Sequence, residues 1–220
     1  MSIKLWSDGH RGAFAHCVEK KSENIKTGDM LQVAILSVRE KPTDTRKMGK
    51  HHINCGICPL EKLCYVNVIV YNSVWQHARK GVLPQLKKPV RLGSFGDPAF
   101  LPLALIDEIK TKTTGHTGYT HQWANNIDPH YKQTLMASVD GVDGNTRELA
   151  NDLGYRTFRI LKAGEKTAPG EIICPNSTHG VQCADCLLCD GANGKKDIAI
   201  AVHGPPVTRA QWNKKEEVTS

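Results

Sequence analysis

PVRLGSFGDPAFLPLALIDEIKTKTTGHTGYTHQW, residues 89–123, decides the fold. Residues 89–98 read as a strand that ends in a Gly-Asp-Pro turn. LPLALIDEIKTKT (101–113) has an apolar face at helical spacing. HTGYTHQW (116–123) alternates as a strand does. Strand, helix and strand in close succession form a βαβ unit, which needs two parallel strands.

Working outward, the same alternation continues. LQVAILSV (31–38) is a buried strand, and VNVIVYNSVWQHARKG (66–81) is a helix closed by Gly81. TLMASVD (134–140) is a strand, and DGNTRELANDLG (143–154) is a helix with Asp143 near its start. YRTFRILKA (155–163) and DIAIAVHG (197–204) complete six strands. Six are too few for an eight-stranded barrel. The expected fold is α/β, a single-domain partial (β/α)6 barrel or an open parallel sheet, carrying two cysteine-rich metal-binding loops. Residues 1–30 read as an N-terminal extension, 31–204 as the α/β metal-binding domain and 205–220 as a polar C-terminal tail. Functional groups are expected at the carboxyl ends of the strands, where both cysteine groups and the Gly-Asp-Pro turn fall.

The chain has 220 residues, eight of them cysteine, and a formal net charge of +7. MSIKLWSDGHRG carries no pattern of a secretory signal, so a disulfide framework is not expected and the cysteines point to metal in a reducing, cytoplasmic setting. No apolar run approaches membrane-spanning length. The net charge permits contact with nucleic acid, for which the basic stretch 39–52 is the candidate surface; a solvated loop fits the same residues. No P-loop, complete Gly-x-Gly-x-x-Gly, His-Glu-x-x-His or nucleophile elbow is present.

Cys174, Cys183, Cys186 and Cys189 form C-x8-C-x2-C-x2-C. A structural zinc site usually takes two separated C-x2-C pairs. The compact triplet 183–186–189 follows the pattern of ferredoxin-type cluster loops, so iron–sulfur leads and zinc stays open. Cys55, Cys58 and Cys64 form C-x2-C-x5-C, which leaves one metal position unfilled. A zinc ion there could be completed by His51, His52 or Cys17, although Cys17 reads equally as a buried small hydrophobe.

These residues resemble the radical S-adenosylmethionine superfamily. The resemblance implies a partial barrel of six βα units. A three-cysteine loop after the first strand would hold a 4Fe-4S cluster, with one iron left for the methionyl amine and carboxylate. The spacing C-x2-C-x5-C departs from the family's usual C-x3-C-x2-C. Carried onto this chain, the resemblance makes Cys55, Cys58 and Cys64 the cluster ligands and puts Tyr65 beside the last of them. Gly96, Asp97 and Pro98 stand at the turn that contacts the adenosylmethionine amine, and the four-cysteine loop becomes an auxiliary cluster. The chain also resembles small phage- and plasmid-borne cysteine-rich proteins. That likeness rests on the Gly-Asp-Pro strand, Tyr119 to Trp123, Ala137 to Asp140, the Cys-Ala-Asp-Cys loop and the terminal His-Gly strand. It implies action in a host cytoplasm.

Further candidates follow from strand position. Tyr119, His121 and Trp123 share a face of the expected strand 116–123, where His121 could meet substrate or simply pack. Asp140 ends a strand and could serve as a catalytic acid or cap a helix. Arg159 needs a carboxylate or phosphate partner if it points inward. His203 ends the last strand. The leading expectation is an iron–sulfur enzyme using S-adenosylmethionine, with an unidentified small-molecule or nucleotide-like substrate. The alternative is a zinc-stabilised phage- or plasmid-type protein that binds nucleic acid or a protein partner without catalysis.

Overall fold

Every residue from Leu31 to Ser37 is buried, and a strand of that kind requires neighbours on both edges and cover on both faces. The computed structural model supplies both. It describes residues 2–8, 13–18, 24–64, 66–77, 79–125, 127–139, 146–191, 196–202 and 206–214. In chain order these form β1 (Ser2–Asp8), β2 (Ala13–Val18), β3 (Leu31–Ser37), α1 (Pro42–Lys47), α2 (His52–Cys55), α3 (Ile69–Gln76), β4 (Arg79–Lys80), β5 (Val90–Phe95) and α4 (Leu103–Thr111). There follow β6 (His116–Thr120), β7 (Met136–Val139), α5 (Arg147–Asp152), β8 (Thr157–Leu161), β9 (Glu171–Ile173), α6 (Pro175–His179), α7 (Cys183–Cys186), β10 (Asp197–Ala201) and α8 (Pro206–Lys214).

The strands make one ten-stranded sheet in the order β4-β1-β2-β3-β5-β6-β7-β8-β10-β9. The six expected strands β3, β5, β6, β7, β8 and β10 stand side by side in chain order, all parallel. The sheet is open, with β4 and β9 at its edges. Of the two architectures left open by the sequence, this is the open parallel sheet, in a single α/β domain. Because the order of these six never reverses, no switch-point crevice falls among them, and the carboxyl rim of β3, β5 and β6 is continuous.

Each face has its own cover. On one, Leu31, Val33, Ile35, Val90 and Leu92 pack against Ile106 and Ile109 of α4 and against Tyr131 and Leu135. On the other, Ala34, Leu36 and Phe95 meet Val68 and the α3 residues Tyr71, Val74 and Trp75. Tyr71 stacks on Phe95, and Trp75 donates its indole N–H to Ser37 O at 2.7 Å. Each fully buried Leu or Ile contributes roughly 1.5–3 kcal/mol. Among the described residues no helix is long and apolar enough to cross a membrane.

Several expected boundaries move. Strand 116–123 stops at Thr120, because Thr120 Oγ1 accepts from Gln122 N (2.9 Å) and the Asp97 carboxylate accepts from His121 N (2.8 Å). These bonds pull His121 and Trp123 out of the ladder and into a short 3₁₀ turn, so the two do not share a strand face with Tyr119. Helix 66–81 ends at Gln76 rather than Gly81, since Arg79 and Lys80 pair with Ile3 and Lys4. The helix read over 143–154 spans Arg147–Asp152 and is capped by Thr146, whose hydroxyl accepts from Leu149 N at 3.3 Å; Asp143 lies outside the described residues. Residues expected as an extension include β1 and β2, which pair antiparallel with each other and with β3. The expected polar tail includes α8, whose Trp212 is 5% exposed.

Arg159 finds its anion within the chain. It grips Glu171 in a fork (Nε to Oε1 2.8 Å, Nη2 to Oε2 2.7 Å) and also pairs with Glu165. Arg147 joins Asp197 at 2.7 Å, and Asp197 accepts from Thr157 N at 2.8 Å. This network ties α5, β8, β9 and β10 together. Burial alone pushes the Glu171 carboxyl up, but the hydrogen bonds from Arg159 and Ala168 N–H outweigh it and hold the group below its ordinary value of 4.5. A depressed carboxylate contributes stability that is present above its unfolded value and is lost as pH falls through the folded one. Urea midpoints are therefore expected to be level above about pH 5 and to fall on acidification below it. Glu171→Gln should remove part of that slope and cost about 3–5 kcal/mol at neutral pH, because Arg159 loses its fork partner.

Candidate metal centres

The first cysteine loop leaves the sheet at Ser37 and is fastened at several points. Arg46 of α1 donates to Cys64 O (2.7 Å) and Val66 O (3.2 Å). Cys55 closes α2, and Gly56 turns the chain at φ 61°. A Cβ at Gly56 would lie 2.6 Å from Gln122 Oε1 and from Phe100 Cζ, so only glycine fits there. Gln122, which is buried, donates its amide to Cys55 O (3.0 Å) and Ile57 O (3.1 Å).

The loop rests on the Gly-Asp-Pro turn at the carboxyl end of β5. Asp97 N donates to Asn54 O at 2.8 Å, and the Gly96 backbone opposes the burial-driven rise of the Cys55 thiol. Gly96 has φ 81°, and a Cβ on it would stand 2.7 Å from Ile35 Cβ and 2.9 Å from Asn54 O. Pro98 opens a 3₁₀ turn capped by Asp97, whose Oδ1 accepts from Ala99 N at 3.0 Å while Oδ2 accepts from His121 N. Burial pushes the Asp97 carboxyl up to about 6 against these bonds. The carboxylate thus joins the ends of β5 and β6. It works as an internal strut at the turn where the resemblance implies contact with a bound amine.

Burial also drives the Cys55 thiol far up, and the neighbouring Cys58, Cys64 and Asp97 charges push the same way. Cys58 Sγ lies 3.9 Å from His121 Nδ1. The other donors considered for this loop are differently placed. His51 pairs with Glu61, His52 is exposed, and Cys17 is buried in the core beside Ala15, Leu31 and Val33.

The second loop begins at Cys174, just after β9, with its N–H on Ala199 O at 2.8 Å. The remaining three cysteines are not at carboxyl ends, contrary to the expectation from sequence. Gly180 (φ 69°) and Leu187 (φ 51°) both turn left-handed, and the chain doubles back beneath the amino ends of the strands. There Cys183 N donates to Lys26 O (2.9 Å) and Ala184 N to Thr27 O (3.0 Å), ahead of β3. The Leu187 side chain covers Gly115, just ahead of β6, where an added Cβ would lie 2.5 Å from it. Cys189 O accepts from Gly118 N at 2.9 Å.

The four thiols line one recess with Tyr119, Leu187, Leu188 and Ile198. Burial pushes the Cys189 thiol up to about 12, opposed by a hydrogen bond from the Tyr119 hydroxyl and reinforced by the charges of Cys174, Cys183 and Cys186. The Cys183 thiol is raised by burial as well. All eight cysteines are free thiols. Among the described residues no three His, Cys, Asp or Glu side chains converge tightly enough to hold a single ion as they stand. The chemistry of each set still suits a cation. Buried thiols that raise one another's proton affinity are stabilised as thiolates when a positive charge enters.

Trp123 is a core residue, packed with Ala137, Val139, Ala150 and Tyr155, and its indole N–H meets Ser138 O at 3.0 Å. Tyr65, Asp140 and His203 lie outside the described residues. Sequence reading missed Gln122 and Arg46, which clamp the first loop through its carbonyls. Side-chain bonds to backbone of this sort leave no spacing signal. Comparison with known proteins finds no matching family, no similar curated protein and no similar solved structure, so the resemblances stand on the motif residues alone.

Proposed function

We propose that the chain is an iron–sulfur enzyme of the radical S-adenosylmethionine type, with Cys55, Cys58 and Cys64 holding a 4Fe-4S cluster at the carboxyl rim and the four-cysteine loop holding a second. The observation that carries this reading is the seat of the first loop. Asp97 N bonds Asn54 O, the residue before Cys55, at the end of the second of six parallel strands in chain order. When bound, such a cluster supplies one electron for the reductive cleavage of S-adenosylmethionine. The chain's own contribution is to hold the loop and exclude water. Gln122, Arg46 and Gly96 fix its backbone, and Asp97 braces β5 against β6. The substrate is proposed to be a small molecule or a nucleotide-like one.

The test is anaerobic reconstitution with iron and sulfide, followed by S-adenosylmethionine and dithionite, with 5′-deoxyadenosine measured as product. Cys58→Ala should abolish 5′-deoxyadenosine release while the unfolding free energy in urea changes by less than about 2 kcal/mol, since Cys58 is only half-buried. Equal product from wild type and the variant would end the proposal.

A second reading is favoured by the 3.9 Å approach of His121 Nδ1 to Cys58 Sγ. Cys55, Cys58, Cys64 and His121 compose the Cys3His set of structural zinc sites. On that reading the protein is zinc-stabilised and binds nucleic acid or a protein partner. The basic 39–52 stretch is the candidate surface for nucleic acid: Lys50 is paired with Glu40, while Arg39, Lys41 and Lys47 are exposed.

A further inference from the structure

One stretch of seven residues supports both cysteine loops. At its start, His116 Nε2 lies 3.1 Å from Asp190 O, and Gly118 N donates to Cys189 O at 2.9 Å. Next, Tyr119 lines the recess that holds the Cys189 thiol. At its end, His121 Nδ1 stands 3.9 Å from Cys58 Sγ, and Gln122 Nε2 bonds Cys55 O and Ile57 O at 3.0 and 3.1 Å. The second loop therefore grips β6 from below while the first grips it from above. Between the two lie only Thr120, whose hydroxyl accepts from Gln122 N, and the peptide that Asp97 holds. The stretch is rigid by burial: His116, Thr117, Gly118, Thr120 and Gln122 are all buried.

We infer that the two cysteine centres assemble cooperatively, with residues 116–122 as the coupling element and Tyr119 and Gln122 as its positioning residues. This rests on the proposal that both loops bind metal, and it holds for iron–sulfur and zinc alike. Filling the four-thiol recess fixes Cys189, and through Tyr119 and Gly118 it fixes the height and tilt of β6. That in turn sets Gln122 and His121 against Cys55 and Cys58. The influence runs equally in reverse, because coupling between two binding equilibria is reciprocal. Sites linked through one rigid element of this kind alter each other's affinity by roughly 5–150-fold.

The full-length chain, stripped of metal, is titrated with cobalt(II) without oxygen. Alkylation of each cysteine is read by mass spectrometry, and thiolate-to-cobalt absorbance is recorded alongside. In wild type, Cys55, Cys58 and Cys64 should become protected over the same cobalt range as Cys174 to Cys189. In Cys186→Ser, which weakens only the second set, protection of Cys55 and Cys64 should require at least about fivefold more cobalt. Tyr119→Phe keeps all eight cysteines and the ring packing against Phe158, and removes only the hydroxyl. It should separate the two protection curves, whereas a residue that merely fills space would leave them together. Protection of the first set at the wild-type cobalt concentration in both variants overturns the inference and leaves metal binding standing. A wild type in which neither cobalt nor iron with sulfide protects any cysteine overturns the metal proposal and the inference with it.

Discussion

Gly96→Ala is expected to destabilise the protein by about 2–5 kcal/mol and to free the three-cysteine loop from the rim. Two costs add. A residue with a Cβ at φ 81° carries the left-handed penalty of roughly 1–2 kcal/mol. The new methyl would also stand 2.7 Å from Ile35 Cβ and 2.9 Å from both Ile35 O and Asn54 O. Two of those atoms are backbone and cannot swing aside, so overpacking adds about 1–3 kcal/mol. Ile35 lies mid-strand in fully buried β3, and Asn54 adjoins Cys55, so relaxation must displace the cysteine loop. Urea unfolding measures the stability, and alkylation of Cys55 measures the displacement. Gly49→Ala is the control. Its φ of 66° incurs the same backbone penalty, but nothing stands within 4 Å of the added methyl, so it should cost only about 1–2 kcal/mol and leave Cys55 as it was.

Removing metal from the loaded protein should have the second large effect, centred on residues 174–191. Four thiolates around one cationic centre supply binding free energy on the order of 10 kcal/mol in small zinc domains, and that energy is folding energy where the site does not exist in the unfolded chain. Here the sheet has its own core, so the whole protein should not unfold. A chelator is expected to lower the melting midpoint by about 10 °C or more, since each kcal/mol shifts a chain of this size by about 2–4 °C. Hydrogen exchange should locate the loss. The amides of Cys183, Ala184 and Gly118 bond across the loop's docking surface, and they should lose protection while β3 and β5 keep theirs. Uniform loss, or none, would mean that the loop does not depend on a cation.

The fold was legible because strands such as β3 are buried on both faces and read as short apolar runs, each bounded by a helix or a turn. LQVAILSV and DIAIAVHG needed no further context. The misses have local causes. β9 is only Glu171–Ile173, held in place by the Arg159–Glu171 fork, and three residues give no periodicity. The β1–β2 hairpin is mixed in polarity and gains its place by pairing with β3. The alternation in HTGYTHQW runs on past Thr120, but the Asp97 carboxylate takes His121 N out of the ladder, a bond between residues 24 apart that no sequence window contains.

The site divides the same way. Cysteine spacing alone marked both sets of thiols. What spacing could not reveal was the path between strand ends. Gly180 and Leu187 turn the second loop back under the sheet, so the two sets lie toward opposite ends of β6. Leu187 is the least legible feature, for a left-handed leucine has no sequence signature. Asp97, expected at the Gly-Asp-Pro turn, has both oxygens on backbone N–H groups and so braces the turn from within.

The central claim is that the two cysteine loops hold iron–sulfur clusters. Iron, labile sulfide and zinc measured on protein purified without oxygen, together with the visible absorption spectrum, test it most directly. The account predicts a brown protein with several iron and several sulfide per chain, and loss of part of that iron in Cys58→Ala and of another part in Cys186→Ser. A colourless protein carrying one or two zinc ions would contradict it and would leave the zinc-stabilised binding protein as the reading to pursue.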